Sequence, residues 1–404
     1  MTTTKNNEHK KLNVPNLRFP EFQGEWEEST IGEMFDLYSG NTPSRLNKEH
    51  FKGTVNWISS GELKEHYISS TKEQISEEAA KSLKLLPVGT FVIAIYGLEA
   101  EGVRGTGSIT QEPSTISQAC MSFIPKGVIE NEFLYSWYKK HGNVIGIRYA
   151  QGTKQHNLSY DILEKFKIVY PNTKEQEKLN KFISLLDERI ATQNKIIDKL
   201  QSLIKGLNQY VFTNSGVNYK LGEICEIRSG YSGTQLSSKK GLKVSRIETI
   251  SEHKVNMIRV GYVAPFESSE NYRLQVGDIL FSNINSVEYI GNTAFIDKDY
   301  NLYHGMNLLR LIPNDVVVIP FYLYLLLNTN KMLNRFKTVC NKAVSQASIN
   351  QTELGKIVVQ IPPRNTQEQI CELYQALYTK LETEKYTKSL FQNQKQYMLR
   401  QMFI

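Results

Sequence analysis

Arginine, lysine, asparagine and glutamine gather in short loops beside glycine or aromatic residues. The first set is Ser39-Gly40-Asn41-Thr42-Pro43-Ser44-Arg45, then Arg104, then Lys154-Gln155. The second is Arg228-Ser229-Gly230-Tyr231, then Arg246, Asn283-Ile284-Asn285, and Lys342 with Gln346. Such side chains pair with base edges in a nucleic-acid groove, and glycine lets a backbone come close to phosphate. That is chemistry of recognition, with no bond made or broken. A plainer alternative stands beside it: Ser39-Gly40 and Ser229-Gly230 simply turn the chain, and Asn157-Leu158-Ser159-Tyr160 caps the short helix that follows.

Patterns that would do covalent chemistry are missing. A loop that holds a flipped adenine for methylation needs Asp or Asn before Pro-Pro and an aromatic residue after it. Here the Pro-Pro, Pro362-Pro363, lies between Ile361 and Arg364. No Gly-x-x-x-x-Gly-Lys-Ser/Thr loop occurs, and Gly102-Val103-Arg104-Gly105-Thr106-Gly107 fits neither that spacing nor the dinucleotide fingerprint. The seven histidines are scattered, and Cys120, Cys225, Cys340 and Cys371 lie far apart, without the spacing of a disulfide framework or a zinc site.

With 404 residues the chain has room for two or three domains, and 40% hydrophobic with 22% charged residues suits a folded protein rather than a disordered one. The balance of 48 basic against 41 acidic residues, net +7, leans towards an anionic partner, nucleic acid before a membrane surface, although a mildly basic protein without such a partner fits equally. The first residues lack an apolar signal region, and the longest apolar run, residues 316–327, is too short to span a bilayer and contains Pro320. The expectation is a cytoplasmic protein with no membrane partner.

The loops need elements to hold them, and the clearest is one long helix over residues 175–212. Its apolar positions Ile183, Leu186, Ile190, Ile197, Leu200, Ile204, Leu207 and Val211, with Gln193 among them, advance in steps of three and four. A β-branched row facing a leucine row favours a pair of helices over three or four. Residues 368–403 repeat the design at lower quality through Tyr374, Leu377, Leu381, Glu384, Lys388, Phe391, Lys395, Met398 and Met402. Glu368-Gln369 echoes Glu175-Gln176, and Gln401-Met402-Phe403 echoes Tyr210-Val211-Phe212. Three charges make the second seam a poor zipper with itself. It therefore pairs with the first, leaving Glu384, Lys388 and Lys395 towards a bound subunit.

What precedes each helix is also duplicated. Ile31-Gly32-Glu33 matches Leu221-Gly222-Glu223, Ser39-Gly40 matches Ser229-Gly230, Val88-Gly89-Thr90 matches Val276-Gly277-Asp278, and Gln155 matches Gln346. A unit of roughly 190 residues is written twice, too long a period for a solenoid and right for a duplicated domain. Short runs of Val, Ile, Phe and Tyr between Gly, Ser and Asn clusters give each unit an α+β character: a small mixed or antiparallel sheet with helices and long loops. Helical patterns fall at 77–85, 132–140 and 321–335. The organisation expected is a flexible tail (1–16), a first domain (17–171), a long helix (172–215), a second domain (216–362) and a second long helix (363–404).

In this order, and twice over, these pieces resemble the specificity subunit of type I restriction-modification systems. The likeness rests on the Ile/Leu-Gly-Glu openings, the Ser-Gly turns, Trp57-Ile58-Ser59-Ser60-Gly61-Glu62, the Val-Gly-Asp-Ile-Leu strand at 276–280, Gly152-Thr153-Lys154-Gln155-His156-Asn157-Leu158-Ser159, and the Pro then Glu-Gln entry to each long helix. The resemblance implies two target-recognition domains, each reading half of a bipartite double-stranded DNA site. It implies that the two long helices pack as an antiparallel coiled-coil spacer between the half-sites. It implies a chain without catalysis of its own, partnered by two adenine methyltransferase (modification) subunits and by restriction (motor-nuclease) subunits. S-adenosylmethionine would belong to the former, ATP and Mg to the latter, and no cofactor to this chain. The second repeat departs from the pattern, with Lys342-Ala343-Val344-Ser345-Gln346 lacking the glycine of the first. Gln155 and Gln346, matched although the half-sites differ, suit backbone positioning or structure better than base choice. Two other readings remain open: a self-contained modification enzyme or nuclease, and a coiled-coil scaffold without a DNA role.

Overall fold

The computed structural model describes residues 12–153, 156–212, 216–342 and 346–404. It divides into two compact units, one of the described residues up to Asn194 together with Tyr386–Ile404, the other of Lys195–Lys385.

The first unit opens with strand Glu27–Thr30 antiparallel to Lys167–Tyr170. The Ile-Gly-Glu motif then has a separate job for each residue. Ile31 is buried in the core. A Cβ on Gly32 would meet the Cβ of Glu164 at 2.9 Å. Glu33 closes a capping box, its carboxylate accepting from Thr30 N at 2.9 Å while Thr30 Oγ1 accepts from Glu33 N at 3.3 Å. Strands Phe35–Ser39, Cys120–Pro125, Phe91–Ala94, Gly107–Thr110 and Tyr67–Ile68 lie in that order in one sheet, antiparallel except at the last pair. Phe91–Ala94, in the middle, is buried on both faces. A smaller sheet joins Gln74–Ile75, Val55–Ile58 and Ser114–Ile116, the second pair parallel. Helix Asn131–Arg148 continues beyond the expected residue 140. Gly142 permits this, since a Cβ there would stand 2.8 Å from Gly105 Cα. Within the expected tail, Asn13 is tied down: its carbonyl accepts from Trp26 N at 2.8 Å.

The second unit repeats the plan. Val217–Lys220 pairs with Val358–Ile361, Leu221 is buried, Gly222 packs on Gly355, and Glu223 accepts from Lys220 N at 2.7 Å. Strands Cys225–Ser229, Leu309–Pro313, Ile279–Phe281 and Thr293–Phe295 form the sheet. The single helical pattern at 321–335 is two helices, Pro320–Leu327 and Asn330–Val339. Thr329 breaks it by taking an extended conformation and capping the second helix through Met332 N at 3.3 Å, while Asn328 Nδ2 donates to Thr293 Oγ1 at 2.6 Å.

The long helices are Thr173–Tyr210 and Arg364–Met402. In the first unit, Ile183 and Leu186 share a core with Leu399, Met402 and Phe403, with Met398 half-buried beside them. In the second, Ile197 and Ile204 share one with Tyr374 and Leu381, flanked by Leu200, Leu207 and Leu377. In each unit the pairing is antiparallel, because early residues of one helix meet late residues of the other. Ile190 and Phe391 are half-buried, and Arg189 sits 5.4 Å from the Phe391 ring centroid. Leu399, which the seam spacing omits, is fully buried beside Met402, and Met398 packs half-buried against the same core. One expectation needs correcting. The seam charges of the second helix do not all wait for a subunit: Lys395 is held by Asp187 at 2.5 and 2.7 Å, and Glu384 is buried and paired with Lys380. Among the described residues no helix is long and apolar enough to cross a membrane.

Candidate nucleic-acid interface

The two Ser-Gly turns have one steric cause. A Cβ on Gly40 would lie 1.9 Å from the Ile116 carbonyl oxygen, and one on Gly230 would lie 1.8 Å from that of Gly305. Each glycine lets the first strand of its sheet leave by passing hard against a neighbouring backbone. The next residue then pairs with that neighbour: Asn41 N donates to Ile116 O at 3.1 Å and Tyr231 N to His304 O at 2.9 Å. Gly40 and Gly230 are thus framework, and the chain beyond them is presented by it.

In the first unit that chain is the loop Asn41–Arg45. Asn41 Oδ1 accepts from Thr42 N at 2.8 Å, and its carbonyl accepts from Trp57 Nε1 at 3.1 Å. Ser39 and Asn41 are exposed, and Thr42 is half-buried. The Arg45 guanidinium lies 4.2 Å from the Phe51 ring centroid and 5.4 Å from that of Trp57, and grips Glu73 through two bonds of 2.6 and 2.8 Å. That grip holds the Glu73 carboxyl below its usual range. Arg104 lies apart from this group. Its stem runs along Gly146, Nε donates to Asn143 Oδ1 at 3.2 Å and Nη1 to Glu99 O at 3.3 Å, so it braces the domain helix. Lys154 and Gln155 lie outside the described residues.

The candidates of the second unit fall into two groups. Tyr231 stacks on Phe266, centroids 3.8 Å apart and planes 5° from parallel, with the Tyr272 ring at its edge. Near them strand Gly261–Val263 carries Gln235 and Arg246 over Gly261, where a Cβ would meet Gln235 Oε1 at 2.1 Å and Arg246 Cδ at 2.9 Å. Arg246 Nε stands 3.4 Å from Glu248. The other group sits on a three-stranded ladder of Ile284–Asn285, Ala347–Ser348 and Asn341–Lys342. Lys342 and Gln346 are exposed there. The Asn285 side chain is used locally, donating to Ser282 Oγ at 3.1 Å and accepting from Ser286 N at 2.8 Å, and Asn283 O accepts from Ile349 N at 2.9 Å. Arg228, outside both groups, lies in strand Cys225–Ser229 next to Ser229. It faces Arg310 across the ladder, and the like charges are separated by their own carboxylates, Glu226 at 2.6 and 2.9 Å for Arg228 and the buried Asp278 at 2.7 Å for Arg310.

The carboxylates that hold the arginines were not among the residues singled out from sequence. One was visible: Glu226 and Arg228 are two apart on a strand, a period that puts them on one face. Glu73 is 28 residues from Arg45 and carries no such signal. Gln235 lies in the stretch after Ser229-Gly230 that has no match in the first repeat, which is its one mark.

A duplicated α+β domain with polar loops over a glycine-built framework, each copy joined to half of a helix pair, defines a tandem recognition module. The family model for the type I restriction modification DNA specificity domain matches twice, over residues 23–202 and 215–390. The chain belongs to that family, as a specificity subunit with two target-recognition domains. Among relatives, it is 44% identical over 158 residues to the putative type I restriction enzyme MjaX specificity subunit of Methanocaldococcus jannaschii, a match covering 38% of this chain and 37% of that one. It is 24% identical over 343 residues to the MjaIX specificity subunit of the same organism, covering 72% and 78%. The crystal structure of the S subunit of a type I restriction-modification system from M. genitalium shares the fold, with a TM-score of 0.55 at 16% identity over 97% of this chain and 99% of that one.

Proposed function

We propose that this chain reads a bipartite double-stranded DNA site, one half through residues 17–171 and the other through 216–362, and sets two methyltransferase subunits and the restriction subunits upon it. It performs no covalent step itself. S-adenosylmethionine, ATP and Mg are the partners' cofactors, and the setting is the cytoplasm. The observation that supports this reading is the contrast within the repeat. The openings, caps, glycine crossings and helix entries coincide in both units, while the segments between Ser-Gly and Val-Gly differ: Arg45 on Phe51 and Trp57 with Glu73 in one, the Tyr231–Phe266 stack with Gln235 and Arg246 in the other. A shared frame with unlike loops suits two unlike half-sites.

The arginine–carboxylate pairs fit this role. An exposed ion pair is worth up to about 1 kcal/mol, whereas a bidentate contact to a base gives about 1–3 kcal/mol of discrimination, so exchanging one for the other runs downhill. The test is to map the methylated motif in cells carrying the system, then replace residues 41–86 with those of a relative of different specificity. One half of the motif should change. A change in both halves, or a motif without two halves, overturns the reading.

A further inference from the structure

The first unit holds a polar cluster that none of the recognition loops uses. His66, just after the turn Ser60–Glu62, lies between two tyrosine rings, 4.1 Å and 9° from Tyr67 and 3.9 Å and 6° from Tyr135. Its Nε2 is 2.9 Å from Glu132 Oε2, and its Nδ1 is 3.5 Å from Asp187 Oδ2, an ion-pair rather than a close hydrogen-bond distance. Tyr67 donates to the other Glu132 oxygen at 3.0 Å, and Asp187 takes Lys395 at 2.5 and 2.7 Å. These side chains come from the loop, the domain helix and both long helices, and all but Glu132 line a cavity of about 850 Å³.

A neutral imidazole has one N–H and one lone pair. With a carboxylate at each ring nitrogen, only the imidazolium offers a donor to both, and the flanking ring faces also favour a cation. The groups facing it are Lys64, Glu65 and Tyr67 from its own loop, Glu132, Tyr135 and Lys139 from the domain helix, Asp187 and Glu188 from the central long helix, and Lys395 from the last helix. Burial alone would lower the His66 pKa, but Asp187 and Glu132 outweigh it and raise it above the ordinary value. Burial likewise opposes ionisation of Asp187, and His66 with Lys395 hold its carboxyl below the usual range. Burial and Lys395 bring Lys139 down to about 8.

We propose that His66 is a positioning residue for the first reading domain: as the imidazolium it ties the loop carrying Tyr67 to Glu132 and, through Asp187 and Lys395, to the long helices, and full discrimination at that domain's half-site requires the tie. This rests on the assignment of residues 17–171 to one half-site. Because the folded pKa is raised, the tie is complete below the ordinary histidine pKa of about 6.5 and is lost as pH rises through the folded value. In the second unit His253, whose carbonyl accepts from the Tyr324 hydroxyl at 2.9 Å, is shifted the opposite way by burial, so the imidazolium tie does not recur around it.

The experiment uses the complex of the full chain with its methyltransferase subunits. Methylation of the intact site is compared with that of sites altered at one base in the first or second half, from about pH 6 to about pH 9. Ratios within one complex cancel the pH dependence of the methyltransferase. First-half discrimination should fall by about tenfold, about 1.4 kcal/mol, while second-half discrimination stays level. Asp187→Asn should move the fall to lower pH, and His66→Ala should show the high-pH ratio throughout. Identical profiles for wild type and Asp187→Asn, or parallel loss at both halves, overturn the proposal. Nitrogen-15 NMR of the histidine rings in the full chain reads the tie without DNA. A His66 ring that keeps both nitrogens protonated to higher pH than a free imidazole supports it and one that loses its second proton at lower pH overturns it, whereas an undivided methylated motif would overturn the half-site assignment instead.

Discussion

Gln176 and Gln367 make the same three hydrogen bonds, each inside its own unit. Gln176 Oε1 accepts from Glu130 N at 3.0 Å, and its Nε2 donates to Val128 O at 3.2 Å and Pro171 O at 2.8 Å. Gln367 Oε1 accepts from Ile319 N at 2.8 Å, and its Nε2 donates to Val317 O at 3.3 Å and Pro362 O at 2.9 Å. Both are buried. The amide thus fastens the first turn of each long helix to the backbone leading into the domain helix. The true echo of Gln176 is therefore Gln367, not the Gln369 suggested by the shared Glu-Gln dipeptide, because the bond needs a side chain on the inner face of the first turn.

Gln176→Ala should strand one N–H and two carbonyls and cost about 2–4 kcal/mol. Hydrogen exchange should show the loosening at Val128–Glu130 and the helix start of the first unit only, and Gln367→Ala should do the same at Val317–Ile319. Unchanged exchange in either variant would deny the amide this role.

Gly40→Ala and Gly230→Ala each force a Cβ into a carbonyl oxygen at under 2 Å. Neither glycine has a left-handed backbone, so the cost is contact rather than strain, and the strand or its neighbour must shift. We expect Gly40→Ala to weaken methylation through the first half-site and Gly230→Ala through the second. Wild-type rates for both would show that the crossings have slack.

Much of the frame was legible because it depends on local rules: the duplicated Ile/Leu-Gly-Glu openings, the prolines at helix entries, and the seam of the central helix from Ile183 to Leu207. What escaped depends on contacts distant in sequence. Lys395 breaks the periodicity of its helix, so sequence alone gave it outward, towards a subunit, yet Asp187 sits 208 residues away to receive it. Residues 321–335 have uninterrupted helical periodicity, and the break comes from the Thr329 cap on Met332 N together with the Asn328–Thr293 bond. Of the candidate residues, glycine and arginine were singled out by type, but which ones are framework (Gly40, Gly230, Arg104, Asn285) and which are presented (Arg45, Tyr231, Arg246) depends on neighbours no spacing reveals.

Ile197 is 8% exposed, in one core with Tyr374 and Leu381. Ile197→Asp buries a carboxylate with no cation provided, at a cost of about 3 kcal/mol or more. The second unit should lose its grip on the helix pair, and the chain should fail to assemble with methyltransferase subunits on size-exclusion chromatography. Ile197→Val, which keeps the apolar contact, should assemble normally. Assembly and full methylation by Ile197→Asp would argue that the seam is not buried in the functional complex.

Arg45 is the presented side chain best prepared to read a base. Its guanidinium is steadied by Phe51 and Trp57 and kept planar towards Glu73 by two bonds, so little rotamer freedom is left to lose when a base edge replaces the carboxylate. Arg45→Ala should relax one position of the first half-site by about 1–3 kcal/mol and leave the second half untouched. Arg45→Lys should recover little, since an ammonium lacks the fork. Glu73→Gln removes the competitor for the guanidinium and should tighten DNA binding without changing the preferred base. Methylation of a library randomised across the first half-site separates the possible roles. Loss confined to one base position marks a reader. Uniform loss over all sequences, with a salt slope shallower by about 1, would mark Arg45 as a phosphate contact instead.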